Sequence, residues 1–409
     1  MRHRVADVYK AGVLAARLER HDGGTRFSYL PAYLAAGGPA VASSLPLSTE
    51  PVLSAAGAAP PYFTGLLPEG RRLNALRRSV KTSVDDELSL LIAAGANPVG
   101  DVQIVGHGEP LDPDEHAVEL NPKAPVDFDA LLGDSGLIDP VALAGVQDKL
   151  SAGMISMPVA SAGRRYILKL NAPEFPHVVE NELVMFRYAA KLRIPLSRVR
   201  LIRDVEARPG LLVERFDRIP LAGGAHGAVQ RLAVEDGAQV LGLYPADKYN
   251  VAYGRVCHAL AEYCAAPLPA LRNLAIQAAF AWLSGNGDLH AKNVSMVQQP
   301  SGEWSIAPVY DIPSTVVYGD KTLALTLDGK RTGISRKHFL GWATGLGLAE
   351  RAAVQVLELG LKASGPLVAD LERGAAFAGT NDDGGSPFSA MVTRSWLKEL
   401  KHRRRLLEG

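Results

Sequence analysis

The chain has 409 residues, 47% hydrophobic and 21% charged, an ordinary globular composition and long enough that one core should divide into two or three subdomains. Lysine and arginine number 44 against 43 aspartate and glutamate, which excludes a global electrostatic pull toward nucleic acid or anionic membrane; any such contact must be local. The start, MRHRVADVYKAGVL, lacks the apolar core of a signal peptide, and no run of about 18 apolar residues occurs, so a cytoplasmic chain without a membrane partner is expected.

From the beginning, VADVY and TRFSYL alternate apolar and polar residues, with Asp22-Gly23-Gly24 as a turn signal between them, and predict a small antiparallel sheet. YFTGLLP then leads into EGRRLNALRRSV, and DDELSLLIAAGA repeats apolar residues at helical spacing, so residues 1–106 read as a β-plus-α subdomain. The polar, Pro-rich stretch 107–125 reads as a linker. Residues 126–232 hold ALAGVQDKLSAGM, the strand RRYILKL, the helix NELVMFRYAAKLR and the strands VRLIRDV and GLLVERF, which is the order of a kinase N-lobe. From 233 to 409 the pattern is mainly helical, in YNVAYGRVCHALAEYCA, LRNLAIQAAFAWLSG and the final SWLKELKHRRRLLEG. Cys257 and Cys264, on one face of a predicted helix, are expected to be buried thiols, and His258 makes no zinc site because no second ligand pair follows. The expected fold class is α+β: a two-lobed protein-kinase-like arrangement with an N-terminal β-plus-α subdomain and a mainly helical C-lobe containing the catalytic loop.

The most informative segment is GNGDLHAKNVS, residues 285–295, which follows an apolar helix and precedes a predicted apolar strand containing Val309 and Tyr310 and ending at Asp311. Phosphoryl transfer needs a carboxylate to accept or orient the substrate hydroxyl, an amide oxygen and a second carboxylate for Mg²⁺, and a lysine for the phosphates. Asp288-Leu-His-Ala-Lys-Asn293 has the Asp-x-x-x-x-Asn spacing that points both side chains into one cleft. Asp311, in VYDIP, stands where kinases carry their Asp-Phe-Gly aspartate, with Ile312-Pro313 in place of Phe-Gly. Lys169 lies on one face of the strand YILKL, and Glu182 in the next helix could pair with it. Singly, Asp288 and Asn293 could form Asx turns, Asp311 a turn before proline, and Lys169 a solvated face; the ordered set is what points to phosphoryl transfer. No Gly-x-Gly-x-x-Gly precedes Lys169, and the candidate phosphate loop is LAGVQDKL, whose amides could form a nest or merely a surface loop.

ALAGVQDKL, YILKL, LLVERFDR, GNGDLHAKN and VYDI, in that order, with SSLPLS and FTGLLPEG near the N-terminus, resemble the HipA family, the kinase toxins of bacterial type II toxin–antitoxin operons. The resemblance covers nearly the whole chain and implies two kinase lobes meeting at LLVERFDR. It implies that Asp288 is the catalytic base, that Asn293 and Asp311 bind Mg²⁺, and that Lys169 holds the phosphates. The backbone of Glu214, Arg215 and Phe216 would bond adenine, with His290 and Lys292 near the nucleotide. Ala144, Gly145, Val146, Gln147, Asp148 and Lys149 would form the phosphate-covering loop. ATP and Mg²⁺ would be the cofactors. The target would be a serine of an aminoacyl-tRNA synthetase, stalling translation and arresting growth, and a HipB-like helix-turn-helix antitoxin would restrain the kinase and carry most of any DNA contact.

At the position of the family's autophosphorylated serine stands Ala142, which cannot accept phosphate. The off-switch is then absent, or Ser151 or Ser156 substitutes for it, or the serine was deliberately replaced. Two other functions fit parts of the pattern: a small-molecule kinase of the same architecture, against which the N-terminal motifs argue, and a corepressor subunit with little catalysis, which would need none of the four site residues. The run Lys401–Arg405 in KHRRRLLEG could contact nucleic-acid phosphates, although cations at a helix C-terminus also complement its dipole.

Overall fold

The computed structural model describes residues 4–55, 57–95, 97–111, 117–121, 124–135, 155–221, 228–380 and 384–409. Three strands open the chain, β1 (Val5–Lys10), β2 (Val13–His21) and β3 (Gly24–Tyr29), joined by two-residue turns at Ala11-Gly12 and Asp22-Gly23 in which all four residues take positive φ. Such turns match the twist of antiparallel strands. The Asp-Gly signal therefore joins β3 to a strand the sequence pattern does not reveal: VLAARLERH is rich in helix formers, but both flanking strands offer it backbone partners. After α1 (Pro31–Ala35), strand β4 (Val52–Ser54) and later β5 (Val102–Gly106) complete a five-stranded sheet in the order β4-β3-β2-β1-β5. Helices α2 (Pro61–Leu66), α3 (Gly70–Val80) and α4 (Glu87–Ala94) lie between β4 and β5 in the chain, and Phe63, Leu88 and Leu90 close a core with Val8 and Phe27 of the sheet.

A second five-stranded sheet has the order β6-β7-β8-β10-β9. Its members are β6 (Val118–Glu119), β7 (Ile155–Ser161), β8 (Arg164–Leu170), β9 (Val199–Arg203) and β10 (Pro209–Glu214), with α5 (Phe128–Ser135) and α6 (Val178–Ala189) packed on it. β6, within the stretch read as a linker, pairs in parallel with β7. The two faces differ: Leu168 and Leu170 join Phe128 and Met157, whereas Leu211 and Val213 pack against Val179 and Leu183 of α6. Lys169 sits between the two leucines and opposite Leu211, so the two-residue alternation of a strand turns it toward α6.

The remaining lobe is mainly helical. A ribbon of β11 (Arg218–Pro220) and β12 (Val229–Arg231) leads to β13 (Val234–Asp236), which pairs with β14 (Ser295–Gln298) and through it with β15 (Trp304–Ile306). The helices are α7 (Gly237–Val240), α8 (Tyr253–Tyr263), α9 (Pro267–Ser284), α10 (Arg336–Gly345), α11 (Glu350–Glu372) and α12 (Ala390–Glu408). Every residue from Leu274 to Ser284 of α9 is buried, so it runs through the interior as a helix apolar on all sides must. Cys257 and Cys264 are both buried free thiols, but Cys264 stands just past α8 in extended conformation.

Two expectations need correction. The strand expected to carry Val309 and Tyr310 stops at Ile306, because Pro308 has no N–H for a ladder; Val309 keeps only a single parallel bridge to Leu196. The basic run near the C-terminus is not a uniformly solvated tail. Arg403 is fully buried, donating to the carbonyls of Trp282 (3.0 Å) and Lys321 (2.7 Å) and to Glu399 (2.9 Å), while Lys401 pairs with Glu372 and Arg404 with Glu408. No helix among the described residues is long and apolar enough to cross a membrane.

Candidate active site

The interior helix α9 delivers the loop. It ends at Gly285, whose φ of +76° closes the helix in left-handed conformation, and a Cβ there would fall 2.6 Å from Val316 Cγ2. Gly287 is required for a different reason: a Cβ on it would lie 2.5 Å from both Thr315 Oγ1 and the Thr322 carbonyl. Both glycines thus let the loop press against the segment after Asp311. The contact is stitched by hydrogen bonds, from Thr315 N to the Gly285 carbonyl (2.8 Å) and from Gly287 N to Thr315 Oγ1 (2.9 Å). Asp288 and Asp311 therefore lie on two segments welded to each other.

Within the loop, Asp288 is almost wholly buried; its amide donates to Asn286 Oδ1 (2.8 Å) and its Oδ1 accepts from the Tyr249 hydroxyl (3.3 Å). His290 Nε2 is 3.9 Å from the same oxygen, and its ring meets Tyr249 edge-on with centroids 5.0 Å apart. Asn293 Nδ2 donates to the Asp288 carbonyl at 2.7 Å, which pins the amide and turns its oxygen away from that bond.

Across from the loop, Lys169 Nζ donates to both oxygens of Glu182 (2.8 and 2.9 Å) and to Asp311 Oδ1 (2.9 Å). Burial pushes this ammonium down, but the Asp311 and Glu182 carboxylates outweigh it and hold the amine well above its usual range. Burial also pushes Glu182 up, since its side chain is 0% exposed; the Lys169 ammonium opposes that shift and nearby Asp311 adds to it. Asp311 takes a φ of +56°, uncommon for a non-glycine residue and the kind of local strain that collects at functional sites.

Helix α6 fixes this arrangement. Asn171, just past β8, accepts from the Val179 amide (2.9 Å), one of the first-turn N–H groups that the helix itself leaves unpaired. Asn181 exchanges two bonds with the Ser314 backbone (2.8 and 3.0 Å), so consecutive helix residues hold Ser314 and Lys169. The pairing of Lys169 with Glu182 anticipated from the sequence is present. Asn181, Thr315 and Tyr249 were not singled out there, and no local pattern marks them, because each acts on a segment distant in the chain.

The residues Glu214, Arg215 and Phe216 link the lobes. The Glu214 and Arg215 amides are taken by the carbonyls of Arg198 (2.8 Å) and Arg165 (2.9 Å), and the Phe216 ring faces Tyr310 at 5.8 Å. Arg215 points away, to Asp217, Asn97 and the Pro98 carbonyl, with Arg218 beside it; these two guanidiniums overcome the burial penalty on Asp217 and keep its carboxyl far below the usual range. Lys292 also turns elsewhere, to the Gly65 carbonyl (2.7 Å) and Glu69 (3.4 Å). Ala142, Ser151 and residues 144–149 lie outside the described residues. Ser156 sits in β7 directly opposite Lys169 in the ladder.

A HipA-like C-terminal domain model matches residues 141–363, and a HipA N-terminal domain model matches 6–105. The Y4mE protein of Sinorhizobium fredii, which carries a provisional kinase name, is 32% identical over 325 residues, covering 74% of this chain and 75% of the relative. The serine/threonine-protein kinase toxin HipA of Shewanella oneidensis is 27% identical over 327 residues, 72% of this chain and 73% of that protein. A chain from the solved complex of the Shewanella oneidensis MR-1 toxin–antitoxin system, HipA with HipB and operator DNA, superposes with a TM-score of 0.77 at 20% identity, covering 98% of this chain and 97% of that one. The fold is thus the two-lobed, kinase-like α+β fold.

Proposed function

The chain belongs to the HipA family of kinases, and on that premise we propose that it transfers the γ-phosphate of ATP to a serine of a protein target, acting as a toxin on translation. The observation that carries the chemistry is Lys169 held between Glu182 and Asp311 opposite a loop bearing Asp288 and Asn293. Two acids around one ammonium leave a net negative charge at the cleft, which a cation complements.

The donors fit Mg²⁺, since Asn293 and Asp311 supply hard oxygens and the pinned amide of Asn293 keeps its oxygen clear. Among the described residues no group of three or more His, Cys, Asp and Glu could hold a metal by itself, so Mg²⁺ would draw its other oxygens from phosphates and water. When bound, Mg²⁺ neutralises charge on the transferring phosphoryl group. Lys169 grips the nucleotide phosphates, and Asp288 accepts the proton of the serine hydroxyl. Near the hinge, the Phe216 amide has no backbone partner among the described residues, unlike its two neighbours, and so serves adenine. His290 supports Asp288, and Lys292 belongs to the loop's support rather than to direct ATP contact.

An aminoacyl-tRNA synthetase is the proposed target and a HipB-like antitoxin the proposed partner in the cytoplasm, in keeping with the solved relative in complex with HipB and operator DNA. Cell lysate incubated with the purified protein, ATP and Mg²⁺ should show one dominant new phosphoserine by mass spectrometry, absent with Asp288→Asn; equal labelling by the two would overturn the proposal. Because Ala142 cannot accept phosphate, the chain should stay active after prolonged incubation with ATP, and stoichiometric phosphate on residues 134–156 with loss of activity would refute that.

A further inference from the structure

The motif FTGLLPEG carries Glu69, the N-cap position of α3 beside the first sheet, yet the Glu69 side chain is lodged against the catalytic loop of the helical lobe. Its Oε2 is ion-paired with Lys248, and its Oε1 lies 3.4 Å from Lys292 Nζ. Gly65, in the same motif, accepts a 2.7 Å bond from Lys292 through its carbonyl.

Each lysine leads to the site. Lys292 precedes Asn293, and its carbonyl accepts from the Tyr310 hydroxyl (2.8 Å), the neighbour of Asp311. The Lys248 carbonyl accepts from the Ala291 amide (3.2 Å), and the next residue, Tyr249, donates to Asp288 Oδ1 (3.3 Å). One carboxylate thus holds two lysines tied to the stretch from Asp288 to Asn293, Lys292 within it and Lys248 through Ala291 and the adjoining Tyr249. Both lysines are largely screened from water, with side chains 9% and 13% exposed, so the attraction is stronger than at a surface. Burial favours the neutral acid at Glu69, but the two ammoniums prevail and hold its carboxyl below the usual range. Asp236 Oδ2, 3.8 Å from Lys292, is the other acid facing that lysine and cannot replace the grip on Lys248.

We propose that Glu69 is a positioning residue for phosphoryl transfer: the N-terminal unit is a working part of the kinase, setting through Lys248 and Lys292 the loop that carries Asp288 and Asn293. This rests on the phosphoryl-transfer reading of the site. Loss of the grip should leave nucleotide binding intact and misplace the base, and shifts of about 1 Å in such groups cost up to about a hundredfold in rate.

The test uses the full chain, ATP, Mg²⁺ and the lysate protein that the wild type labels. Glu69→Gln should lower kcat about tenfold while the KM for ATP stays within about twofold. Glu69→Asp should recover part of the loss, and Lys248→Met should reproduce it. The double variant Glu69→Gln/Lys248→Met should fall no further than the worse single variant, because both remove one interaction. Wild-type kcat in Glu69→Gln, a loss expressed in KM alone, or losses that multiply in the double variant would each overturn the inference. Should Glu69→Gln fail to fold, shown by its circular dichroism, Lys248→Met and Glu69→Asp decide by the same kcat and KM criteria. Asp288→Asn separates the two levels: if it labels like wild type, the phosphoryl-transfer reading falls and takes this inference with it, whereas a silent Asp288→Asn beside a fully active Glu69→Gln removes only the role of Glu69.

Discussion

Lys10 and Lys169 are both strand lysines largely shielded from water, with side chains 7% and 12% exposed, one in each five-stranded sheet, and they are balanced differently. Lys10 meets one carboxylate, Asp101 at 2.8 Å, and gives a longer bond to the Val41 carbonyl at 3.4 Å. Lys169 meets two, Glu182 and Asp311, and of these Glu182 is sealed while the Asp311 side chain is 19% exposed. A one-to-one pair is a closed unit that serves the fold. The one-to-two cluster leaves its surplus negative charge on the side facing the cleft, where a cation can answer it. Burial alone does not mark the functional lysine; the uncompensated partner does.

Lys169→Met should cut phosphate transfer about a hundredfold to a thousandfold while leaving the circular dichroism spectrum intact, the scale expected for removing one charge from a preorganised site. Lys10→Met should do the opposite. It leaves Asp101 buried without its ammonium and should lower unfolding free energy in urea by about 3 kcal/mol or more, with kcat per folded molecule unchanged; Lys10→Met/Asp101→Leu should regain most of that loss. A Lys10→Met protein that is stable but inactive would dissolve the distinction.

Bound nucleotide should separate the two lysine sites by stability as well. At about a hundred times Kd, ATP with Mg²⁺ should stabilise the chain by about 2.7 kcal/mol in thermal or urea unfolding. Asp311→Asn should remove the Mg²⁺-dependent part of that gain, whereas Asp101→Asn should keep it; equal gains in both would argue against Asp311 as the metal-binding acid.

The smallest effect concerns another ion pair remote from the cleft, Arg20 with Asp86. Burial pushes Asp86 up, but bonds from Thr82, Arg20 and Ser89 outweigh it and bring its carboxyl down to about 2. Since the folded value lies below the unfolded one, the stabilisation is complete above pH about 4 and lost as pH falls toward 2, worth up to about 2 kcal/mol. Asp86→Asn should flatten that part of the stability curve and leave kcat at neutral pH unchanged.

Much of the site was legible in the chain. The Asp288-to-Asn293 spacing, Lys169 in an alternating strand and Glu182 in the following helix depend on periodicities that operate within a few residues, so residue order carries them. The glycines flanking Asn286 were visible, but not their purpose, because Val316, Thr315 and Thr322 crowd them from another segment. β2 was illegible for a related reason: its helix-forming side chains lost to strand partners on both sides.

Charge pairing shows where local information ends. In the sequence, Arg403 looks like one more cation in a basic run, Lys292 like a nucleotide contact and Glu69 like the start of a helix. In the folded protein, Arg403 bonds the last turn of α9, and Glu69 with Gly65 reaches across to Lys292. Residue order set the kinds of elements, the succession of the motifs and the chemistry they could perform. Tertiary structure alone decided which ions meet, because in a buried pair the balance of desolvation and attraction depends on partners that only the folded path of the chain brings within a few ångströms.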